Sequence, residues 1–196
     1  MAGSTGRGEG RLVPTAGRGV ATVRMAGPAD VGAVVELVES AYRGEASRAG
    51  WTTEADLLDG QRTDAAEVVA AISADYSEVL LLEVPGAPGG PETVGCCHVE
   101  MGEPGLAWFG LFAVRPVGQG AGHGSSLLTE AGRVAAAWGC GELRLLVIRQ
   151  RLDLIDWYHR RGFRPTGETK PFPYGDERFG RPRRDDLEFA VLAAPL

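Results

Sequence analysis

The sequence predicts a single α/β domain in which a mixed sheet carries helices on both faces. Strand-like segments follow one another over 78–114, which indicates antiparallel neighbours, and strand-like and helix-like segments then alternate over 119–168. The chain has 196 residues, of which 44% are apolar, and this is enough for one domain with a sizeable core. No internal repeat is visible.

Periodicity, helix signals and turn residues predict the individual elements. Ala21–Met25 alternates as a strand, and Pro28 opens a helix that reaches about Tyr42, with Asp30 in its first turn. Residues 43–54 break the periodicity and predict a long loop or lid. The other segments are predicted as helices over 54–58 and 65–73, strands over 78–84, 93–100 and 106–114, a turn over 85–91, a loop and helix over 119–138, a strand over 142–148, a helix over 152–161, a strand over 163–168, an irregular segment over 170–184 and a strand over 186–193.

The N-terminal residues differ in composition from the rest. Residues 1–20 consist largely of Gly, Arg, Ser and Thr, so we expect a flexible tail followed by one domain over 21–196. The tail lacks the apolar core of a secretion signal, and the chain has no run of 18 apolar residues. These features predict a soluble, cytoplasmic protein that is not inserted in a membrane.

Charge and cysteine content exclude several classes of function. A net charge of −6 argues against nucleic-acid binding, which needs a concentrated basic surface. The locally basic stretch 178–184 is predicted to be a solvated loop. Cys96, Cys97 and Cys140 form an odd set without a C-x-x-C pair, so we expect buried free thiols and neither a disulfide framework nor a metal site.

The most informative segment is glycine-rich and joins a strand to a helix. The apolar run 106–114 is followed by Gly120, Gly122 and Gly124 and then by helix-like residues. Backbone N–H groups at a helix start have no internal partner, and glycine allows φ > 0 and close approach, so a diphosphate can bind there without a basic side chain. A glycine-rich turn with an ordinary cap from Ser125 or Ser126 is the alternative.

Two familiar phosphate loops fit this segment poorly. A nucleoside-triphosphate loop needs Lys and then Ser or Thr after its last glycine, whereas Ser125 and Ser126 follow Gly124. A dinucleotide site needs G-x-G-x-x-G after the first strand and an acidic residue about 20 positions later. The glycines here have another spacing and lie late in the chain.

The segment resembles the coenzyme A loop of the GNAT family of acyl-CoA N-acyltransferases. Gln119-Gly120-Ala121-Gly122-His123-Gly124 fits its Gln/Arg-x-x-Gly-x-Gly/Ala pattern, and Val114-Arg115-Pro116 fits the preceding Val-x-Pro. Further along, Tyr158 and Gly162-Phe163 fit the family's Tyr-x-x-x-Gly-Phe/Tyr signature. The resemblance spans roughly 21–194 and is strongest over 94–168.

This resemblance implies transfer of an acetyl or short acyl group from acetyl-CoA to a primary amine in a ternary complex. It implies that the Phe112 amide faces the thioester carbonyl and that Val114 pairs with the pantetheine arm. Tyr158 matches the general acid, whose phenol stays protonated at neutral pH. The cosubstrate-binding residues implied are Phe112, Ala113, Val114, Gln119, Gly120, Ala121, Gly122, His123, Gly124 and Ser125.

The general base is less well specified. Some relatives carry a carboxylate on the oxyanion strand, but 106–114 contains none, and Trp108 stands at that position. Glu100, at the end of the neighbouring strand, is our candidate, directly or through water, with a surface role as the alternative. Asp153 and Asp156 share the helix of Tyr158 without sharing its face. A histidine can act as a base near neutral pH, but we expect structural or surface roles for His98, His123 and His159.

The acceptor is expected between the loop 43–60 and the irregular segment 170–176, because loops around a rigid scaffold carry specificity. It would be the amine of a small molecule or a peptide. Several acids there suggest a cationic amine, namely Glu45, Glu54, Asp56, Asp59 and Asp176. A non-catalytic acyl-CoA-binding sensor or interaction module is the alternative, and the sequence leaves a homodimer open.

Overall fold

The computed structural model describes residues 11–13, 21–86 and 90–196. Its strands are β1 (Arg11–Val13), β2 (Ala21–Met25), β3 (Leu58–Asp59), β4 (Ser77–Val84), β5 (Glu92–Met101), β6 (Leu106–Val114), β7 (Glu142–Ile148), β8 (Arg164–Pro171), β9 (Arg181–Pro182) and β10 (Glu188–Pro195). Its α-helices are α1 (Val31–Tyr42), α2 (Gly44–Ser47), α3 (Ala65–Ser73), α4 (His123–Ala137) and α5 (Leu152–His159).

The predicted mixed sheet is confirmed. Within the described residues, eight strands form one sheet in the order β1-β2-β4-β5-β6-β7-β10-β8. Its pairs are antiparallel except for β6 and β7, which run parallel. Strands β3 and β9 form a separate two-stranded pair.

Helices cover both faces of the sheet. On one face α1 and α3 bury Val34, Leu37 and Val68 against β4, β5 and β6. On the other, α4 and α5 bury Leu127 and Leu154 in a larger core. Each helix therefore contributes one apolar stripe to a layer. No helix in the described ranges is both long and apolar enough to cross a membrane.

The parallel strands β6 and β7 pair over only part of their length. Their register runs from Leu106 opposite Glu142 to Phe109 opposite Leu145, although β6 continues to Val114 and β7 to Ile148. Beyond this point the two strands no longer share a ladder, so their backbone groups face a gap in the middle of the sheet.

A β-bulge interrupts β6 where this gap begins. His98 lies opposite Gly110, but Cys96 lies opposite Ala113, so β6 has one extra residue there. Leu111 has φ +41°, a conformation that is costly for a residue with a branched side chain. The bulge reverses the alternation of faces: Phe109 belongs to the α4 core, whereas Leu111 belongs to the α1 core.

Several predicted segments differ in the structure. Helix α2 lies within the predicted loop 43–54, and β9 lies within the predicted irregular segment 170–184. The predicted helix over 54–58 is wrong: a single turn there leads into β3, because Leu58 pairs with Pro182 and is buried against Ile148 and Phe172. The strand predicted over 163–168 is longer in the structure, because β8 extends to Pro171. Within the predicted tail, residues 11–13 form β1 against β2. Residues 1–10 and 14–20, and 87–89 of the predicted turn, lie outside the described residues.

Candidate active site

The loop between β6 and α4 has the geometry of an anion site. Gly120 and Gly122 have φ of +90° and +89°, and a Cβ on either would meet no atom within 4 Å. In the described part of the chain, no acceptor binds the backbone N–H groups of residues 120–125. These donors lie at the positive end of the α4 dipole, where phosphate oxygens bind well.

Gly124 serves a different purpose from the one its loop position suggested. It lies inside α4, and a Cβ there would stand 3.0 Å from Cζ of Phe112 and 3.3 Å from Cζ2 of Trp157. Its lack of a side chain therefore lets the first turn of α4 pack against these rings. The φ > 0 expectation for this loop applies to Gly120 and Gly122.

A cavity of about 530 Å³ opens in front of the loop. The predicted residues Phe112, Val114 and most of 119–125 line it; the side chain of Ala113 is instead buried in the α1 core, and Ala121 is exposed beside the cavity. Its volume lies within the range of pockets that bind drug-sized ligands. Its remaining walls come from loop residues 51–52 and from α5 and the turn that follows it.

Arg161 adds a positive charge that the sequence analysis did not assign. Its guanidinium lies 3.5 Å from the ring centroid of Trp157 and donates to Ser125 Oγ at 2.8 and 3.1 Å. Partial burial lowers the pKa of Arg161, with a further lowering from the neighbouring Arg160, but the guanidinium stays charged. The sequence did contain an indication of this charge, because Arg160 and Arg161 stand between Tyr158 and Gly162 in the matched signature.

Residues 51–53 close one side of this cavity and are held from two directions. The Gln119 side chain accepts from the Trp51 N–H at 2.9 Å and donates to Thr52 Oγ1 at 2.8 Å and to the Val114 carbonyl at 3.1 Å. The buried Arg151 donates to the carbonyls of Trp51, Thr52 and Thr53 at 2.9–3.2 Å. The predicted lid is therefore fastened to the loop and to α5.

The β6 backbone meets the gap at Phe112 and Val114. Arg115 donates its N–H to Val94 of β5, so the peptide groups of the preceding residue, Val114, face the other way, into the gap. Tyr42 on α1 donates its hydroxyl to the Phe112 carbonyl and fixes the bulge. Burial raises the pKa of Tyr42 to about 12, so its hydroxyl remains a donor at neutral pH.

A second cavity, of about 630 Å³, lies on the other side of Phe112. Most of its walls are apolar and come from β6, β7, β10, Leu58 of β3 and the segment that contains Phe172 and Phe179, with polar groups at the α1–α3 end. Its walls include Trp108, Gly110, Leu146, Ile148, Phe172, Phe179 and Phe189, and its polar groups include Arg62, Glu67, His98, Glu100 and Tyr158.

Tyr158 lies where the two cavities approach each other. It is buried, its ring centroid is 6.5 Å from that of Phe112, and its side chain lines the second cavity. Its hydroxyl has no hydrogen-bond partner among residues 11–13, 21–86 and 90–196. Burial, with Tyr42 and Cys97 nearby, raises the pKa of Tyr158 well above its usual value. The phenol is therefore neutral and carries a proton it can donate.

Glu100 and His98 lie in the same cavity as neighbours on one face of β5. Glu100 is exposed and stands opposite Trp108 of β6 and Ser77 of β4. His98 is half-buried and lies opposite Gly110. Burial lowers the pKa of His98, while Glu100 and Glu67 act in the opposite direction. The imidazole is neutral at pH 7 as a result.

His123 and His159 differ from His98. His123 lines the first cavity but is largely buried, and burial lowers its pKa; its Nδ1 has no partner in the described residues. His159 has a partnerless Nε2 that is likewise closed to solvent. Neither lines the second cavity. No cluster of His, Cys, Asp and Glu in the described ranges is arranged to hold a metal ion.

The acids that suggested a cationic acceptor are paired with arginines. The buried Glu54 binds Arg43 at 2.7 Å, and the other four form ion pairs at the surface. These pairs are Glu45–Arg48, Asp56–Arg48, Asp59–Arg183 and Asp176–Arg178. Their charges are therefore largely balanced before any acceptor arrives.

A sheet that opens between two parallel strands, beside an anion loop at a helix start, is the architecture of an acyl-CoA-dependent N-acyltransferase. The chain belongs to the acetyltransferase (GNAT) family, whose family model matches residues 38–163, well over half of the chain. It is an acetyl-CoA-dependent N-acetyltransferase, as the resemblance implied. No curated protein matches the sequence.

Solved structures support the fold at low sequence identity. The chain is similar to the ribosomal-protein-S18-alanine N-acetyltransferase from Escherichia coli, with 16% identity, a TM-score of 0.62 and coverage of 89% of this chain and 93% of that one. For the N-acetyltransferase from Staphylococcus aureus Mu50 the values are 14%, 0.63, 89% and 98%. For yncA from Salmonella typhimurium, solved with its cofactor acetyl-CoA, they are 21%, 0.63, 90% and 94%.

Proposed function

We propose that this enzyme transfers the acetyl group of acetyl-CoA to the primary amine of a small molecule with an apolar body, in a ternary complex. The observation that carries this proposal is the pair of cavities that meet at Phe112. One contains the anion loop for the diphosphate of acetyl-CoA. The second cavity, of about 630 Å³, offers a separate, largely apolar space for the acceptor and is named the acceptor-side cavity.

The amine nitrogen attacks the thioester carbonyl carbon, and the charge that develops on oxygen is stabilised by the Phe112 amide. The C–S bond then breaks as the new C–N bond is retained. Tyr158 is proposed to give its proton to the leaving sulfur, since its buried phenol is neutral. After attack the nitrogen carries one proton more than the amide product, and this proton returns to the Tyr158 oxygen. The cosubstrate residues proposed are Phe112, Ala113, Val114 and the loop 119–125.

Glu100 is proposed to receive, through water, the proton that an arriving ammonium group must lose. It lines the acceptor-side cavity, and no arginine or lysine of the described residues forms an ion pair with it. Its exposure places the carboxylate where bulk water can carry the proton away. A carboxylate at this position supplies proton transfer without a metal.

The walls of the cavity favour an apolar acceptor body. Trp108, Phe179 and Leu146 are partly or largely exposed there, and the acids of the surrounding loops are already paired with arginines. Burying one phenyl or alkyl group contributes about 1.5–3 kcal/mol. Aryl- and alkylamines should therefore bind better than polyamines or hydrophilic peptides.

We also propose a cytoplasmic location. Cys96, Cys97 and Cys140 are free and buried, and free thiols are typical of a reducing compartment. A homodimer stays a prediction.

The test is release of free thiol from acetyl-CoA with 2-phenylethylamine, hexylamine, spermidine and a short unblocked peptide. We expect kcat/KM for the first two amines to exceed that for spermidine by about tenfold or more, given the burial estimate. A preference for spermidine or the peptide would contradict the apolar acceptor. Binding of acetyl-CoA without transfer to any amine would instead indicate an acyl-CoA-binding module.

A wall variant with a matched control sharpens the test. Leu146→Asp places a charge in the acceptor-side cavity, whereas Leu152→Asp makes the same change on α5, at a residue outside both cavities. We expect only Leu146→Asp to raise KM for 2-phenylethylamine. Equal effects of the two variants would count against the assignment of this cavity to the acceptor.

A further inference from the structure

The hydrogen bonds around His98 determine which of its nitrogens carries the proton. Ser77 Oγ lies 2.7 Å from the Ala71 carbonyl and 2.7 Å from His98 Nε2. A carbonyl oxygen can only accept, so the single hydroxyl hydrogen of Ser77 is committed to Ala71. Nε2 of His98 must therefore donate to Ser77. In the neutral imidazole this leaves the lone pair on Nδ1.

The Nδ1 edge of His98 is open. Nδ1 has no hydrogen-bond partner among the described residues, and unlike Nδ1 of His123 it is not sealed from solvent. His98 lines the acceptor-side cavity, and Gly110, directly opposite on β6, leaves space beside it: a Cβ there would meet no atom within 4 Å. An amine could thus reach the unprotonated nitrogen.

We infer that Nδ1 of His98 is the group that accepts the proton from the acceptor's ammonium group, and that Ser77 is the positioning residue that fixes the imidazole in the required tautomer. This inference rests on the proposed acetyl transfer. One N–H bond of the ammonium breaks, its electron pair stays on nitrogen for attack on the thioester, and an Nδ1–H bond forms. The proton then passes through water to Glu100 and the solvent.

The charges around His98 suit this role. Glu100 on its own strand and Glu67 in the first turn of α3 both favour the imidazolium, and Arg62 lines the same cavity from the loop before α3. Ser77 on β4 is uncharged. Burial outweighs the two carboxylates and lowers the pKa of His98, so the imidazole is already unprotonated at neutral pH. The nearby carboxylates still stabilise the charge that forms during proton transfer.

The first test is the pH dependence of kcat/KM with the best amine. His98→Gln can still donate to Ser77 but has no basic nitrogen. We expect a loss of about 10²-fold at pH 7, unchanged binding of acetyl-CoA, and recovery toward pH 10 as free amine accumulates. His159→Gln is the matched control and should follow the wild-type profile. Ser77→Ala should lower the rate less and alter the acidic limb of the profile.

Two kinetic outcomes overturn the inference. The first is a His98→Gln profile that overlays the wild type while the wild type transfers acetyl groups normally. The second is a full loss in Glu100→Gln with no loss in His98→Gln, which would make the carboxylate the direct acceptor.

A second measurement does not need turnover. ¹⁵N NMR of the histidine side chains distinguishes the two neutral tautomers and follows their titration. We expect His98 to carry its proton on Nε2 and to titrate below a free imidazole. A neutral Nδ1–H form would overturn the inference even if no amine substrate were found. Failure of the proposed function alone would leave the NMR result as expected but show no thiol release.

Discussion

At Tyr158, burial keeps a proton on the phenol, and no described residue forms a hydrogen bond with its hydroxyl. The side chain is buried, its pKa is raised, and it lines the acceptor-side cavity. Tyr158→Phe keeps the ring contacts with Phe112 and Phe163 and deletes only the proton donor. We expect turnover to fall by about 10²-fold, in the lower range for loss of a general acid, with little change in the Kd for acetyl-CoA.

The control for this change is Tyr76→Phe, which removes a hydroxyl from an exposed tyrosine outside both cavities. Its turnover should match the wild type. If Tyr158→Phe also turned over normally, the thiolate would be leaving without help from this phenol.

Residue types in the sequence predict candidate chemistry for the site, but they do not predict which side chains are hydrogen-bonded to one another. The sequence pointed to Tyr158, Glu100 and the glycine loop, and each lines one of the two cavities. The sequence analysis expected a structural or surface role for His98, and it could not include the hydrogen bond that orients the ring, because the partner, Ser77, lies twenty-one positions earlier. A contact across neighbouring strands leaves no periodic signal in the sequence.

At the scale of elements, the loop before α4 is proposed to bind the diphosphate through its backbone N–H groups, so a side chain added there should interfere. Gly122→Asp adds a Cβ at φ +89° and a negative charge beside the free N–H groups. Acetyl-CoA should raise the melting temperature of the wild type by mass action, and this shift should be largely lost in the variant. Differential scanning fluorimetry with and without acetyl-CoA measures it.

Gly139→Asp is the control for backbone strain. Gly139 follows α4 with φ +84° and equally open surroundings, but lies at the other end of the helix. The variant should lose intrinsic stability to a similar extent and keep the acetyl-CoA shift. Equal loss of the shift in both variants would contradict the loop assignment.

Elements with local signals were predictable, and elements that depend on distant partners were not. Helix α3 spans Ala65–Ser73 as predicted, and in the structure the Asp64 side chain caps it by accepting from the Glu67 N–H. The turn at 54–58 carried a helix-like pattern, but β9, far along the chain, pairs with β3 there. The bulge does have a local signal, because Gly110 is an isolated glycine within the strand, but nothing in the sequence shows that the positive φ falls on the next residue, Leu111.

At the scale of the whole molecule, an ion-pair network far from the cavities ties the first strand of the domain to its neighbours. Arg24 on β2 binds Asp30 before α1 and Glu83 on β4, each at 2.8 Å. The hydrogen bond from Arg24 is the main cause that lowers the pKa of Asp30. The stabilisation is present above the usual carboxyl pKa and is lost as the pH falls through the lower, folded-state value.

Asp30→Asn should therefore destabilise the protein at pH 7 by about 0.5–1 kcal/mol, as expected for a partly exposed pair, and by less as the pH falls below 4. Urea unfolding of both proteins across this range measures the difference. Asp75→Asn, at an exposed acid outside the described ion pairs, serves as the control. A difference that is independent of pH would mean that lost packing, and not the charge, explains the effect.

Phe112 lines both cavities, which are proposed to receive two different molecules. A compound that joins an apolar amine to coenzyme A through a short spacer would pass this ring and fill both cavities at once. Once one half is bound, the other half would bind at the high effective concentration set by the spacer, without a second loss of translational entropy. In a series of such bisubstrate ligands with different spacers, the spacer length that gives the lowest Kd would measure the distance between the two binding positions on either side of Phe112.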